Sequence, residues 1–185
     1  MPMIEDGTGK GYKVKIDDEN MAHVLSTEAH LCHHINLAHG EAYSVVVSKT
    51  PTGAADCFLY LKNTDDDDLI ISSVLLYAAT DESVQIKLGD SGTTSGGTAN
   101  VPTNRNAGSG NSADCTCEDG VDITGLSGGS VVDEISIDGA TGSHKTVWRS
   151  DILLPKNGIA TFYAVTGAIA IKMTVSIGFH NNQWG

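Results

Sequence analysis

Residues 168–179 place an apolar residue at every second position, and this period constrains the fold more than any other feature. Side chains on a β-strand alternate between the two faces of a sheet, so the pattern predicts a strand with one face buried. No convincing amphipathic helix of three turns occurs in the sequence. Strands are therefore expected to build the core. The alternating apolar residues are Ile169, Ile171, Met173, Val175 and Ile177.

Similar strand signals recur along the chain between Gly-rich turns. With 185 residues, 40% of them hydrophobic, the chain is long enough to bury one core and too short for two comfortable domains. Short strands at this spacing predict a single all-β sandwich or barrel over residues 21–185, preceded by an N-terminal arm with a short strand at 1–20. The predicted strands lie at 12–16, 43–47, 57–62, 69–77, 84–88, 113–117, 131–137, 145–149, 159–166 and 168–179.

Residues 89–111 consist mostly of Gly, Ser, Thr and Asn, and they are too polar to contribute to the core. Long loops without secondary structure inside compact domains are usually functional. We therefore expect this loop and the arm to reach neighbouring molecules. Open sheet edges favour the same outcome, because closure or partner strands must protect them. The sequence predicts a homo-oligomer, with a trimer favoured.

The charge balance is 11 basic against 23 acidic residues, a formal net charge of −12. Nucleic acid and anionic membrane surfaces would be repelled, so neither is an expected partner. No segment approaches the roughly 20 apolar residues of a membrane helix. The first residues resemble no secretory signal, which suggests synthesis in a reducing cytoplasm. Four Cys are too few and too irregular for a disulfide scaffold.

One tetrapeptide, Gly89 to Gly92, matches the G-D-S-G around the nucleophile of chymotrypsin-like serine proteases. Ser91 would need a His base, for which His30 is the candidate, and a carboxylate from Asp56 or from 65–68. The segment after Gly92 is polar instead of an apolar strand, and the His segment carries an insertion relative to the family spacing. A structural Gly/Ser loop is the favoured interpretation.

A second serine, Ser127, lies in Gly125-Leu126-Ser127-Gly128-Gly129, which fits the G-x-S-x-G nucleophile elbow. That motif has chemical meaning only between a strand and a helix. Because the residues that follow predict a strand, a glycine-rich loop is favoured here as well.

Zinc ligands are conceivable at Cys32, His33 and His34, with His30 and His39 nearby, and at Cys115 and Cys117. The last two are two residues apart, so they would face the same side of a strand. No zinc-finger or zinc-ribbon spacing is present, however, and buried free Cys is common in cores. We therefore expect no metal or other cofactor. A redox role for the C-x-C pair is disfavoured because the spacing is not C-x-x-C.

A run of four carboxylates is a candidate calcium site, because calcium binds carboxylate oxygens. Its members are Asp65, Asp66, Asp67 and Asp68. The run lacks the D-x-D-x-D-G spacing of a calcium loop, and adjacent acids in a hairpin are usually a solvated tip. The expected role is a turn.

Two stretches resemble structural proteins of tailed bacteriophages. Residues 58–63 read FLYLKN and continue through an acidic turn into an apolar strand, and 97–111 read GTANVPTNRNAGSGN. Their order and separation are also similar, and together they span roughly residues 42–118. The resemblance implies a virion component built on a jelly-roll-like antiparallel β-sandwich, with no catalytic residues. The His-rich segment 23–39 and the C-x-C pair depart from the pattern.

The leading hypothesis is a non-enzymatic capsid decoration (cement) protein on the outer surface of the head. It would bind the major capsid protein or other virion proteins, because a net charge of −12 is easier to place away from packaged DNA. The runner-up is a tail, neck or fibre-base protein on the same fold. A carbohydrate-binding module is less favoured, because aromatics are few and Trp148 and Trp184 are isolated. The chymotrypsin-like protease ranks last.

Overall fold

The computed structural model describes residues 15–16, 22–23, 35–36, 39–138 and 145–180. The chain divides into two units, Met1–His30 and Leu31–Gly185, and each is described by itself. In the first unit, β1 (Lys15–Ile16) pairs antiparallel with β2 (Ala22–His23). The strand predicted at 12–16 is thus seen at its last two residues. The other residues of the predicted arm 1–20 lie outside the described part.

Strands dominate the second unit, and between 39 and 138 and from 145 to 180 every regular element is a strand. Among the described residues, no helix is long and apolar enough to span a membrane. In chain order the strands are β3 (Ala42–Lys49), β4 (Cys57–Asn63), β5 (Asp68–Ala78), β6 (Glu82–Leu88), β7 (Ser91–Ser95), β8 (Thr98–Ala99), β9 (Thr103–Asn104), β10 (Cys115–Asp119), β11 (Thr124–Ser127), β12 (Ser130–Ile137), β13 (Lys145–Leu154), β14 (Ile159–Ala164) and β15 (Ile171–His180).

Eight of these strands form two antiparallel sheets in jelly-roll order. One sheet has the order β13-β5-β15-β3, extended at one edge by β9. The other has the order β12-β6-β14-β4, extended by β10 and β8. The chain passes from one sheet to the other at each step along the framework except between β6 and β12, which pair as neighbours. The predicted jelly-roll-like antiparallel β-sandwich is confirmed.

The core lies between the sheets and is filled by alternate residues of both. Val175 and Leu76 from the five-stranded sheet and Phe162 and Ile86 from the six-stranded sheet are all fully buried. Each such side chain contributes roughly 1.5–3 kcal/mol of transfer free energy. The apolar residues at every second position of β15 therefore lie in the core, as their period predicts.

Residues 89–129 form an insertion between β6 and β12, called here the insertion. Its first part is not the structureless loop that its composition predicts, since 89–111 contain β7, β8 and β9. β7 pairs with β11, β8 pairs with β10 on the six-stranded sheet, and β9 pairs with β3 on the five-stranded sheet. The insertion thus protects the edge of both sheets, which explains why a polar segment is ordered there.

Asparagine side chains attach the insertion to the segment before β3. Asn104 Nδ2 donates to the carbonyl oxygen of Gly40 at 2.8 Å, and Asn111 Nδ2 donates to that of His39 at 3.0 Å. Asn106 Nδ2 reaches the carbonyl oxygen of Asn36 at 3.2 Å. We call these three residues the amide clasp. They belong to the Asn-rich segment 97–111, and their amide groups donate to carbonyl oxygens that lie outside the pairing of β9 with β3.

Candidate functional site

Ser91 is exposed at the start of β7, and its Oγ donates to the carbonyl oxygen of Ser127 at 3.2 Å. The neighbouring Asp90 turns inward and is buried. Asp56 accepts the N–H of Gly53 at 2.6 Å in a local turn. The other predicted triad member, His30, lies outside the described residues. In the described part of the chain, the tetrapeptide serves as a strand start.

The glycines of both serine motifs have a structural reason. A Cβ on Gly92 would overlap the carbonyl oxygen of Gly125, and a Cβ on Gly125 would overlap that of Thr93. Both glycines also have positive φ, 124° and 84° respectively. They permit the close approach of β7 and β11. Ser127 ends β11 and is followed by β12, so the strand-to-helix turn of a nucleophile elbow is not formed there.

Cys115 and Cys117 lie on β10 and face the core together, as their spacing predicts. Burial raises the pKa of Cys115 to about 11, and it raises the pKa of Cys117 further. Zinc binds the thiolate, so both thiols are poorly suited to it at neutral pH. Cys32, His33 and His34 lie outside the described residues. Within the described ranges, no three His, Cys, Asp or Glu side chains are grouped so that they could hold a metal.

The four-carboxylate run forms the turn between β4 and β5. Asn63 organises it, because its Nδ2 donates to the carbonyl oxygens of Asp67 and Leu154 at 2.8 and 2.9 Å. Asp66 forms an exposed ion pair with Lys156. Asp65 accepts the N–H of Asp67 at 3.2 Å. Burial, and then repulsion from the neighbouring aspartates, raises the pKa of Asp67. These carboxylates, including Asp68, belong to no metal-holding group among the described residues.

The sequence analysis did not predict two buried carboxylates, Glu82 and Asp90. Glu82 accepts the backbone N–H groups of Thr166 and Gly167 at 2.8 and 3.0 Å. Asp90 accepts from Thr161 Oγ1 at 2.5 Å, from Tyr163 Oη at 3.1 Å and from the N–H of Gly129 at 2.8 Å. Their acceptor capacity is used within the fold, so each ties a connection to a strand. Asp90 in particular holds both ends of the insertion.

The insertion covers the part of the six-stranded sheet's outer face that β4 and β14 form. Ile123 is 3% exposed and packs against Cys57 and Tyr60, which is 6% exposed. Leu126 and Tyr163 border this cluster. Burial raises the pKa of Cys57 to about 12. The part of this face over β4 and β14 is therefore closed to a partner, while the part over β6 and β12 is not.

The outer face of the five-stranded sheet has a different character. Strand register aligns outward side chains of β3, β15 and β5 in four rows that run across the sheet. One end is covered, because Ile35 is buried against Ala42 and Ile70. The rows, from the uncovered end, are Ser48, Lys172 and Tyr77; Val46, Thr174 and Leu75; Ser44, Ser176 and Ser73; and Ala42, Gly178 and Ile70.

The first two rows border a shallow depression of ≈ 320 Å³ and form what we call the open face. Val46 is 60% exposed and Tyr77 is 42% exposed. Among the described side chains that line it, Lys172 carries the one charge. Apolar residues grouped on a surface in this way mark a contact site more often than a random surface does. The open face is the candidate functional site, and no sequence motif predicted it.

The remaining aromatic residues offer no platform for a sugar. Trp148 is half-buried and packs against the core, and Trp184 lies outside the described residues. Lys87 Nζ covers the ring of Tyr163 at 3.7 Å. Tyr77 is the exposed aromatic ring of the open face, without a second ring beside it among the residues that line the depression.

Comparison with known proteins adds no further constraint. No protein-family model matches the chain, and no curated protein or solved structure is significantly similar to it.

Proposed function

We propose that this chain is a structural protein of a tailed-bacteriophage virion that decorates the outer surface of the capsid and stabilises the shell. It would be made in the host cytoplasm, act without a catalytic group or cofactor, and form a homo-oligomer, with a trimer favoured. The observation that supports this proposal best is the open face, an apolar surface on a jelly roll whose other outer face is partly covered by the insertion. The resemblance of residues 58–63 and 97–111 to structural proteins of tailed bacteriophages also supports the proposal.

The stabilisation would operate by mass action. A protein that binds the assembled shell more tightly than the free shell subunits shifts the equilibrium toward the shell. Many copies, each contributing a few kcal/mol, then resist the pressure of packaged DNA together. The net charge of −12 supports a position outside the shell, away from that DNA.

The experiment is deletion of this gene from the phage that encodes it, followed by purification of particles. We expect particles that assemble, lack the chain and lose their DNA at a lower temperature than wild-type particles. Purified protein added back should bind the heads and restore the heat tolerance. Antibody labelling of tails instead of heads would favour the runner-up, a tail or neck protein. Absence of the chain from wild-type particles would contradict both proposals.

A second experiment concerns the arm, whose residues 1–10 lie outside the described part. Deleting them should weaken binding to particles and leave the melting temperature of the isolated protein nearly unchanged. Normal decoration by the truncated protein would exclude the arm as the anchor and direct attention to the open face.

A further inference from the structure

We propose that the open face binds strand β12 of a second copy, so that copies join head to tail in a ring. The inference deepens the self-assembly part of the proposed function and does not depend on the virion. It assigns two different surfaces of one chain to each other. The first is the open face around Val46, Tyr77 and Lys172, and the second is the exposed side of β12 around Val131, Val132 and Glu134.

The chemistry of the open face specifies its partner. Val46 and Leu75 favour contact with apolar side chains, because removing their exposed apolar area from water lowers the free energy. The charge in the lining is the cation of Lys172, although acidic residues outnumber basic ones by two to one in the chain. A fitting partner therefore places a carboxylate beside exposed apolar side chains.

Strand β12 offers this combination on every copy. Val131 and Val132 are 50% and 49% exposed, and they are the adjacent pair among the exposed large hydrophobic residues. Val131 pairs with Lys87 and Glu134 pairs with Gln85, two residues apart on β6, so Val131 and Glu134 lie on the same side of the sheet. Lys87 does not cancel the carboxylate, because its Nζ lies over the ring of Tyr163.

The position of β12 also favours contact. It is the edge strand of the six-stranded sheet, and β6 is its hydrogen-bonded neighbour among the described strands. A register shift between Val131 and Asp133 leaves Val132 without a partner residue on β6. Bulged edge strands project side chains outward and do not readily add another strand. Contact through side chains is therefore the mode that this edge permits.

Two open faces would pair poorly with each other, because a two-fold contact brings the two Lys172 ammonium groups together. A contact between different surfaces avoids this repulsion, and it leaves one open face and one β12 free at the ends. Rotation closes such a chain of copies into a ring. Three copies are the closure favoured by the sequence-based expectation of a trimer.

The test is sedimentation of the purified full chain from about 1 to 100 µM. The wild type should have about three times the 19.3 kDa chain mass at the upper end. Lys172→Glu and Glu134→Lys should each raise the dissociation constant about tenfold or more, since each places like charges opposite each other. The double variant should recover most of the loss, because the charges are exchanged and not removed.

Matched controls carry the same charge changes elsewhere. Lys156→Glu alters an exposed lysine in the turn between β13 and β14, and Asp122→Lys alters an exposed acid beside the exposed Val121. Both should assemble like the wild type. Circular dichroism and thermal melting confirm that each variant is folded. Three results would overturn the proposal: a monomeric wild type, single reversals without effect, or a double variant no better than either single variant. None of these results would contradict the proposed binding to capsids.

Discussion

The two outer faces of this sandwich differ although the same kind of strand builds them. On the six-stranded sheet, Tyr60 and Cys57 lie beneath Ile123 of the insertion. On the five-stranded sheet, Val46 and Tyr77 face outward, and no described segment covers them. Both faces carry apolar residues, so composition does not separate them. The difference teaches that a chain can use one segment to close one sheet and leave the other available for contact.

The cover has a cost that hydrogen bonds and burial must offset. Ordering a residue costs roughly 1–2 kcal/mol of backbone entropy. The amide clasp, the pairing of β8 and β9 with the sheet edges and the buried Asp90 together hold the insertion.

The largest expected effect is on the covered face. Ile123→Ala should lower the free energy of unfolding by about 3 kcal/mol, because it leaves a cavity above Cys57 and Tyr60. Urea denaturation measures the change. Val121→Ala, two residues away and about half exposed, should change the stability by less than about 0.5 kcal/mol. Equal effects of the two substitutions would mean that the insertion does not cover this face.

Alkaline pH should also weaken the covered face. Burial raises the pKa of Cys57 from 9.0 to about 12, so between these values the folded state holds a proton that the unfolded state has released. This thiol therefore leaves the free energy of unfolding unchanged below pH 9 and lowers it as the pH rises, by about 2 kcal/mol at pH 10.5. Denaturation at pH 8 and 10.5 measures the loss. Cys57→Ala should lose correspondingly less, and identical losses would show that Cys57 is accessible to water.

A smaller effect is expected at the amide clasp. Asn104→Ala removes hydrogen bonds to the carbonyl oxygens of Gly40 and Asn111 and should cost about 1.5 kcal/mol. Limited proteolysis should then cut within 89–111 before the sheets unfold. Thr98→Ala, an exposed change in the same insertion, is the control. If both variants resist protease as the wild type does, the clasp does not hold this segment.

The smallest effect on the isolated chain is expected on the open face. Val46→Thr keeps the branched shape and should change the stability of the monomer by less than about 0.5 kcal/mol, because the side chain is already in water. Val45→Thr, its neighbour in the core, should cost about 2 kcal/mol because it buries a hydroxyl. Thermal melting at low concentration compares them. A large loss for Val46→Thr would show that its side chain already has a cover.

Much of the fold could be predicted because alternating hydrophobicity is a local signal. The ten predicted strands correspond to observed ones, since one buried face repeats at period 2 wherever a strand lies on the core. Boundaries moved where turns intervene. β15 begins at Ile171 and not at residue 168, because Gly167 and Ala168 have positive φ and end the extended backbone before it. The strands of the insertion were missed because their stabilising contacts are to distant backbone and are invisible in composition.

The candidate site could not be predicted for a related reason. Val46 and Val45 look alike in sequence, and the strand register decides which one faces outward and which one faces the core. Motif reasoning drew attention to Ser91 and Ser127, whose glycines serve a close approach of two strands. Asp90 was read as part of a protease motif, yet its carboxylate is a buried acceptor for Thr161 and Tyr163.

The insertion leaves and re-enters the framework at one place, because Leu88 and Ser130 are register partners on β6 and β12. In topological terms it is the tip of a hairpin, and its length strains nothing in the two sheets, since the cost of loop closure grows only with the logarithm of length. Its most exposed apolar residue, Val101, is 83% accessible and adjoins a proline. A foreign peptide spliced after Val101 would therefore be displayed at the surface, with the jelly roll as its carrier.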